Sequence, residues 1–194
     1  YITDKEFDEF YKHVPERVLV ILDEAYFEYA NHLSDYPNSM TYRYDNVITL
    51  RTFSKAYGLA GLRIGYGFSH EALINNLLKV KVPFEPSYIA QLAGSAALDD
   101  TKFMNNTIKM NKLEKEKIEL KLDELKIKRI PSATNFITTY WDSEKNAKEI
   151  TEKILNKGII LRHLASFGWP EYIRISIGLE SENELFINIL KEII

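Results

Sequence analysis

Two short runs of mostly apolar residues constrain the fold of this chain most strongly. Residues 18–22 and 46–50 are rich in β-branched side chains, and each run is followed at once by polar or charged residues. Runs of this length and composition are typical of strands that are buried on both faces of a parallel sheet. We therefore expect an α/β protein in which the polar residues after these strands lie at one edge of the sheet, where open α/β sheets bind ligands.

Helical and strand patterns alternate along the rest of the chain. Thr3 and Glu6 have the spacing of a capping box, which predicts a helix over residues 3–13. The other predicted helices start near residues 69, 89, 99, 143 and 181, the last with a second capping box, and the other predicted strands cover residues 63–68, 127–130, 135–141, 159–161 and 172–177. The composition becomes rich in lysine and glutamate near residue 99. The pattern predicts part of a large α/β domain over residues 1–98 and a small α+β domain over residues 99–194.

The composition argues against several classes of function. The net charge of −3, with both signs scattered along the 194 residues, gives no basic face for nucleic acid and no polybasic patch for a membrane. Cysteine is absent, so the chain has no disulfide and no thiolate metal site. The four histidines are far apart in the sequence, and we expect no metal site. We expect a cytoplasmic enzyme that acts on small molecules.

A cluster of polar and cationic residues follows the run at 46–50. Thr52, Ser54, Lys55 and Arg63 fall within a dozen residues, and glycines lie among them. Hydroxyl and guanidinium groups donate hydrogen bonds to phosphate oxygens, and a desolvated lysine can attack a carbonyl to form a Schiff base. Lysine and serine after a strand are also common as solvated loop residues. The residues alone leave both interpretations open.

Three further side chains are candidates for a binding role. Asp23 follows the run at 18–22 directly, where it could be a turn residue or a partly buried carboxylate that meets a cation such as a protonated pyridine nitrogen. Arg162 ends a predicted strand. Arg174 lies on the polar face of the strand at 172–177, where it could face solvent or a ligand.

The stretch from residue 50 to residue 65 resembles a known family. Ser54-Lys55-Ala56, followed by Arg63 eight residues after the lysine, resembles the cofactor-lysine segment of pyridoxal-phosphate aminotransferases of the aspartate aminotransferase fold type. The whole stretch is most similar to the histidinol-phosphate aminotransferase branch. The resemblance implies that Lys55 carries pyridoxal 5'-phosphate and that Thr52, Ser54 and Arg63 hold the phosphate of this cofactor.

Two other segments extend the resemblance. Residues 23–26 resemble the family's Asp-x-Ala-Tyr segment, which implies that Asp23 pairs with the pyridinium nitrogen and that Tyr26 bonds the phenolic oxygen of the ring. Residues 158–178 resemble the C-terminal segment of the same branch. This similarity implies that Arg174 binds the carboxylate of the amino-acid donor and that Arg174 and Arg162 together grip the phosphate of histidinol phosphate.

The resemblance implies a fold and an activity for the full-length protein. The fold is a partial, mostly parallel sheet of the pyridoxal-phosphate transferase large domain followed by a small C-terminal domain. The activity is transamination between histidinol phosphate and 2-oxoglutarate in histidine biosynthesis, by a homodimer in which Lys55 transfers the proton. Because the family's chains are nearly twice as long, we expect this chain to be a C-terminal part that is inactive alone.

Other functions remain open at this point. A threonine-phosphate decarboxylase or an aromatic amino-acid aminotransferase would share the lysine segment and the arginines. An interaction domain that has lost catalysis would keep only the fold.

Overall fold

The computed structural model describes residues 1–42 and 44–194. The chain divides into two compact units, Tyr1–Thr107 and Ile108–Ile194. The domain boundary that the composition predicts at residues 98 and 99 stays a prediction. No helix of the described residues is both long and apolar enough to cross a membrane.

The first unit is built on a three-stranded sheet with the order β1-β2-β3. Strand β1 runs parallel to β2, and β2 runs antiparallel to β3. The elements are α1 (Asp4–Tyr11), β1 (Val20–Asp23), α2 (Phe27–Ala30), β2 (Val47–Thr52), β3 (Gly65–Ser69), α3 (Glu71–Val80), α4 (Tyr88–Asp99) and the start of α5 (Thr101–Glu124), with 3₁₀ turns at Ser39–Thr41 and Ala60–Leu62. The predicted α/β class is confirmed. Within the described residues, however, one of the two strand pairs in this sheet is antiparallel, so the sheet is not mostly parallel.

Helix α1 begins at the predicted capping box. The Glu6 N–H donates to the Thr3 hydroxyl oxygen (3.3 Å), and the Thr3 N–H donates to the Glu6 carboxylate (2.8 Å). The helix buries Phe7, whose ring stacks on Tyr42 with 4.8 Å between centroids. Phe7 belongs to the same buried cluster as Val20 and Val47. Helix α1 therefore covers one face of β1 and β2.

The two faces of this sheet differ in burial. Because side chains alternate along strands, one face, which we call the covered face, carries Val20, Leu22, Val47, Thr49 and Arg51. The opposite face carries Ile21, Asp23, Ile48, Leu50 and Thr52. On that face Ile21 is 58% exposed and Leu50 is 38% exposed. The prediction that the run at 18–22 is buried on both faces is therefore wrong, because the described residues pack on only one face of β1.

The second unit is a four-stranded antiparallel sheet, with the order β4-β5-β7-β6, together with three helices. Its elements are the rest of α5, β4 (Arg129–Ile130), β5 (Phe136–Tyr140), α6 (Glu144–Asn156), β6 (Arg162–His163), β7 (Tyr172–Ser176) and α7 (Glu180–Ile193). Helix α6 buries Ala147, Ile150 and Ile154, as its sequence pattern predicts. These side chains join a core that includes Ile173 and Ile175 of β7.

Two sequence predictions in this unit are wrong for local reasons. Residues 159–161 were expected to form a strand, but the Ile159 N–H donates to the Ile154 carbonyl (3.2 Å) after a left-handed Gly158, which ends α6. Strand β6 consequently begins at Arg162. Helix α7 begins at Glu180, next to its predicted start, but the capping box predicted at Ser181 and Glu184 does not form, because the Leu179 N–H donates to the Glu182 carboxylate (2.7 Å) instead.

Candidate active site

The loop after β2 carries Lys55 and is closed by backbone hydrogen bonds. Strand β2 ends at Thr52, and the Gly58 N–H then donates to the Lys55 carbonyl (3.0 Å). The Leu59 N–H donates to the Phe53 carbonyl (2.9 Å). Gly58 has a φ of 71°, a conformation that favours glycine. The sequence therefore turns back sharply just after the lysine.

Apolar neighbours anchor Lys55 in this loop. Phe53 is 5% exposed and Ala56 is 1% exposed, while Lys55 itself is half-buried. The Lys55 Nζ lies 5.4 Å from the centroid of the Tyr26 ring. Among the described residues, no carboxylate forms an ion pair with this amine. The amine is thus held in place without being neutralised by an acidic side chain.

Three potential phosphate ligands surround the lysine in sequence. The Ser54 N–H donates to the Thr52 hydroxyl oxygen (3.0 Å), and both side chains are half-buried. Thr52 lies opposite Gly65 in the β2–β3 pair, so Arg63 lies near the same end of the sheet. Arg63 adopts a left-handed conformation (φ 51°) and donates from Nη1 to the Ala60 carbonyl (2.8 Å). The structure therefore brings these cationic and hydroxyl groups to one end of the sheet.

Asp23 and Tyr26 lie at the same edge. Strand β1 ends at Asp23, which is opposite Leu50 of β2, and the parallel strands end side by side. The exposed Asp23 carboxylate accepts a hydrogen bond from the Ala25 N–H (3.0 Å), which forms a turn that leads to Tyr26. Because the Tyr26 ring faces the Lys55 amine, the two segments singled out in the sequence are neighbours.

A buried ion pair that the sequence analysis missed lies beside these residues. The Arg51 Nη2 and Nε lie 2.8 and 2.9 Å from the Glu24 Oε2, and both side chains are at least 90% buried. The Arg51 guanidinium also stacks 3.4 Å from the centroid of the Phe27 ring. The alternation of side chains between the two faces of β2 could have indicated this pair. Arg51 falls on the same face as the buried Val47 and Thr49, and a buried guanidinium needs an acidic partner.

A second carboxylate near this pair has an unmatched oxygen. Glu28 is 6% exposed, and within the described part of the chain its Oε2 has no hydrogen-bond partner. Burial raises the pKa of the Glu28 carboxyl above its ordinary value of 4.5, an effect that its own backbone N–H and the Arg51 charge only partly oppose. Ionised Glu28 is therefore a cost to the folded state.

We expect Glu28→Gln to stabilise the full-length protein, increasingly so as the pH rises. A pKa that is raised by folding gives stability that is fully present below the unfolded pKa and is lost as the pH rises through the folded pKa. Glutamine keeps the shape of the side chain without the charge. At pH values above the folded pKa of Glu28, the free energy of unfolding should therefore rise by about 1 kcal/mol. Thermal melts at pH 5 and pH 8 measure it, with the exposed Glu9→Gln as control. Equal differences in melting temperature at the two pH values would contradict the prediction.

In the second unit, the structure brings Arg162 and Arg174 together. They lie directly opposite each other in the β6–β7 pair. Arg174 is half-buried, and among the described residues its Nε is buried without a hydrogen-bond partner. Its guanidinium lies 5.2 Å from the Phe136 ring centroid. Because like charges that face each other across strands are unfavourable, this arrangement suits a bound anion.

Comparison with known proteins decides the family. A family model for class I and II aminotransferases matches residues 1–190. The chain belongs to this aminotransferase family. Curated relatives include a histidinol-phosphate aminotransferase of Carboxydothermus hydrogenoformans, which is 40% identical over 196 residues, with all of this chain and 54% of the relative covered. A protein of the same name from a Geobacillus species is also 40% identical, with 100% and 53% covered.

Solved structures agree with the aminotransferase family. The histidinol-phosphate aminotransferase of Sinorhizobium meliloti, solved in complex with pyridoxal 5'-phosphate, superposes with a TM-score of 0.90 at 30% identity, covering 100% of this chain and 53% of that one. The chain spans about half the length of the curated relatives it matches.

The predicted site residues of this aminotransferase chain form two groups. The first unit brings Asp23, Tyr26 and Lys55 to one edge of its sheet, with Thr52, Ser54 and Arg63 at the same end. The second unit pairs Arg162 with Arg174. These placements make the predicted roles possible, and the roles themselves stay predictions.

Proposed function

We propose that the full-length protein transfers an amino group between histidinol phosphate and 2-oxoglutarate, with pyridoxal phosphate as cofactor, in histidine biosynthesis. The observation that carries the proposal is the neighbourhood of Lys55 and the Asp23–Tyr26 segment at one edge of the sheet. The similarity of the whole chain to proteins named histidinol-phosphate aminotransferases supports the choice of substrate.

The residues at this edge fit the cofactor chemically. The hydroxyls of Thr52 and Ser54 and the guanidinium of Arg63 are donors suited to a phosphate. The exposed carboxylate of Asp23 is an anion suited to a protonated ring nitrogen, and Lys55 supplies an amine without an acidic partner in the described residues. Donors suited to the phosphate and an acceptor suited to the protonated ring nitrogen thus lie at the same edge of the sheet. A cofactor that carries both charges requires both kinds of group.

Each residue then has a separate task. Bound pyridoxal phosphate supplies an aldehyde that takes up amines and a ring that withdraws electrons from the substrate carbon. Lys55 would hold the cofactor through its Nζ, and the same amine would move a proton to or from the substrate carbon that bears the amino group. The charge of Asp23 would keep the ring nitrogen protonated, and the Tyr26 hydroxyl would donate to the ring oxygen.

Arg162 and Arg174 bind the anionic groups of the two substrates in this proposal. One substrate carries a phosphate and the other a carboxylate, and the planar fork of arginine can donate two parallel hydrogen bonds to either. Because the two residues are paired across β6 and β7, both guanidinium groups could donate hydrogen bonds to one anion, which supports this assignment.

Steady-state assays of the full-length protein with pyridoxal phosphate test this function. With 2-oxoglutarate as acceptor, we expect kcat/KM for histidinol phosphate to exceed that for histidinol by about 10²-fold or more, because histidinol has no phosphate to pair with the charges of Arg162 and Arg174. Preferred turnover of phenylalanine, or release of carbon dioxide from threonine phosphate, would instead favour the corresponding relative. If the protein neither turned over any of these amines nor showed absorption from bound pyridoxal phosphate, the assignment as an enzyme would be wrong.

The homodimer and the cytoplasmic location also stay predictions. Sedimentation velocity of the full-length protein checks the first, and fractionation of cells checks the second.

A further inference from the structure

The side chains that contact the buried Arg51–Glu24 pair adjoin the candidate cofactor residues in sequence. We call Glu24, Phe27, Asn38, Met40 and Arg51 the Arg51 cluster. Glu24 follows Asp23, Phe27 follows Tyr26, and Arg51 precedes Thr52. Three of the residues assigned to the cofactor are thus each bonded directly to a member of the Arg51 cluster.

The cluster lies behind the strand ends that carry those residues. Arg51 is on the covered face of β2 and Thr52 is on the opposite face, because neighbouring side chains alternate. The same alternation separates Asp23 from Glu24 at the end of β1, where the Glu24 N–H still pairs with the Leu50 carbonyl (2.9 Å). The Arg51 cluster therefore supports the two strand ends from the face opposite to Asp23 and Thr52.

Several contacts fix the guanidinium of Arg51 in one orientation. Two of its nitrogens share the Glu24 Oε2, Nη2 also donates to the Asn38 Oδ1 (3.2 Å), and Nη1 donates to the Met40 Sδ (3.4 Å). Glu24 Oε1 in turn accepts from the Ser39 N–H (3.3 Å). Replacing a whole buried ion pair by apolar residues is often neutral, whereas removing one partner leaves an uncompensated charge and destabilises the fold. The shared hydrogen bonds of this pair also restrict the positions of the two strand ends.

We propose that Glu24 and Arg51 are a positioning pair. Their ion pair fixes the relative positions of the ends of β1 and β2, so that Asp23 and the Lys55 loop can contact the same cofactor molecule. The proposal rests on the proposed function. A displacement of about 1 Å at a reacting group can lower a rate by about 10²-fold. Loss of the pair should therefore alter the chemistry of the lysine and not only the amount of folded protein.

The variants Glu24→Gln and Arg51→Lys test the pair in the full-length protein loaded with pyridoxal phosphate. The readout is the pH midpoint of the yellow absorption of the lysine-bound cofactor, which depends on the charges and distances around the lysine and the ring. We expect both variants to shift this midpoint by about 0.5 pH unit or more and to lower kcat by about tenfold, with a smaller change in KM.

The matched control is Thr49→Val, two residues before Arg51 on the same buried face. It removes the hydrogen bond from the Thr49 hydroxyl to the Ser39 Oγ (2.8 Å), so it should lower the melting temperature without moving the absorption midpoint. Hydrogen exchange of the cofactor-free protein gives a second readout. We expect residues 20–27 and 47–58 to exchange faster in Glu24→Gln than in Thr49→Val.

The outcomes separate this inference from the proposed function. Unchanged midpoints in folded Glu24→Gln and Arg51→Lys proteins would overturn the positioning role while leaving the lysine assignment intact. Should Glu24→Gln fail to fold because it leaves the buried Arg51 charge unpaired, Arg51→Lys decides, because its ammonium keeps a positive charge opposite Glu24. A wild-type protein with no yellow absorption would overturn the proposed function and the inference with it.

Discussion

Lys55→Ala in the full-length protein is expected to lower kcat for transamination by at least about 10³-fold. The substitution removes the covalent anchor of the cofactor and also the group that transfers the proton, and general acid–base catalysis alone contributes about 10²- to 10⁴-fold. The yellow absorption of the lysine-bound cofactor should disappear as well. Steady-state kinetics and an absorption spectrum of the purified, loaded protein measure both effects.

The matched control for this variant is Lys79→Ala. Lys79 is an exposed lysine of α3 in the same unit, and among the residues that the structure describes its amine donates only to the Asn76 Oδ1 (2.8 Å). We expect wild-type kinetics from it. Partial recovery of turnover in Lys55→Ala on addition of a small primary amine would further separate lost chemistry from lost folding. A Lys55→Ala protein that kept both its absorption and its turnover would exclude the lysine as the cofactor's attachment point.

The features that could be predicted from the sequence are those set by short-range rules. The capping box at Thr3 and Glu6 is confirmed because both of its hydrogen bonds join residues three apart. The inward face of α6 is confirmed because helical periodicity fixes which side chains share a stripe. The neighbourhood of Lys55 and Tyr26 follows similarly, since the ends of adjacent parallel strands meet at one edge of the sheet.

The features that could not be predicted depend on partners distant in sequence. Arg51 and Glu24 are 27 residues apart, and their pairing needs both the parallel register of β1 with β2 and the covered face on which they meet. The exposure of Ile21 is likewise not encoded in its own run, because burial depends on what packs against the strand. At Ile159 a local bond to the end of α6 prevailed over the β-propensity of three consecutive apolar residues.

Arg174→Gln is expected to lower kcat/KM for both histidinol phosphate and glutamate by about 10²- to 10³-fold, since truncating one partner of a buried charged pair costs about 2–5 kcal/mol. Arg174→Lys should fall between Arg174→Gln and the wild type, because an ammonium keeps the charge but loses the two-pronged donor geometry. The absorption of the cofactor should not change, as this arginine is assigned to the substrate.

The stability of Arg174→Gln should not fall together with its activity. In the folded chain Arg174 faces Arg162 across two strands, and its Nε has no hydrogen-bond partner among the described residues. Removing one of two opposed charges should therefore leave the melting temperature unchanged or raise it. Arg129→Gln is the matched control, because Arg129 instead pairs with Asp123 and Glu119 and should affect stability alone. If Arg174→Gln lost stability and kept its kinetic constants, the arginine would be a structural residue, and the anion would have to bind elsewhere.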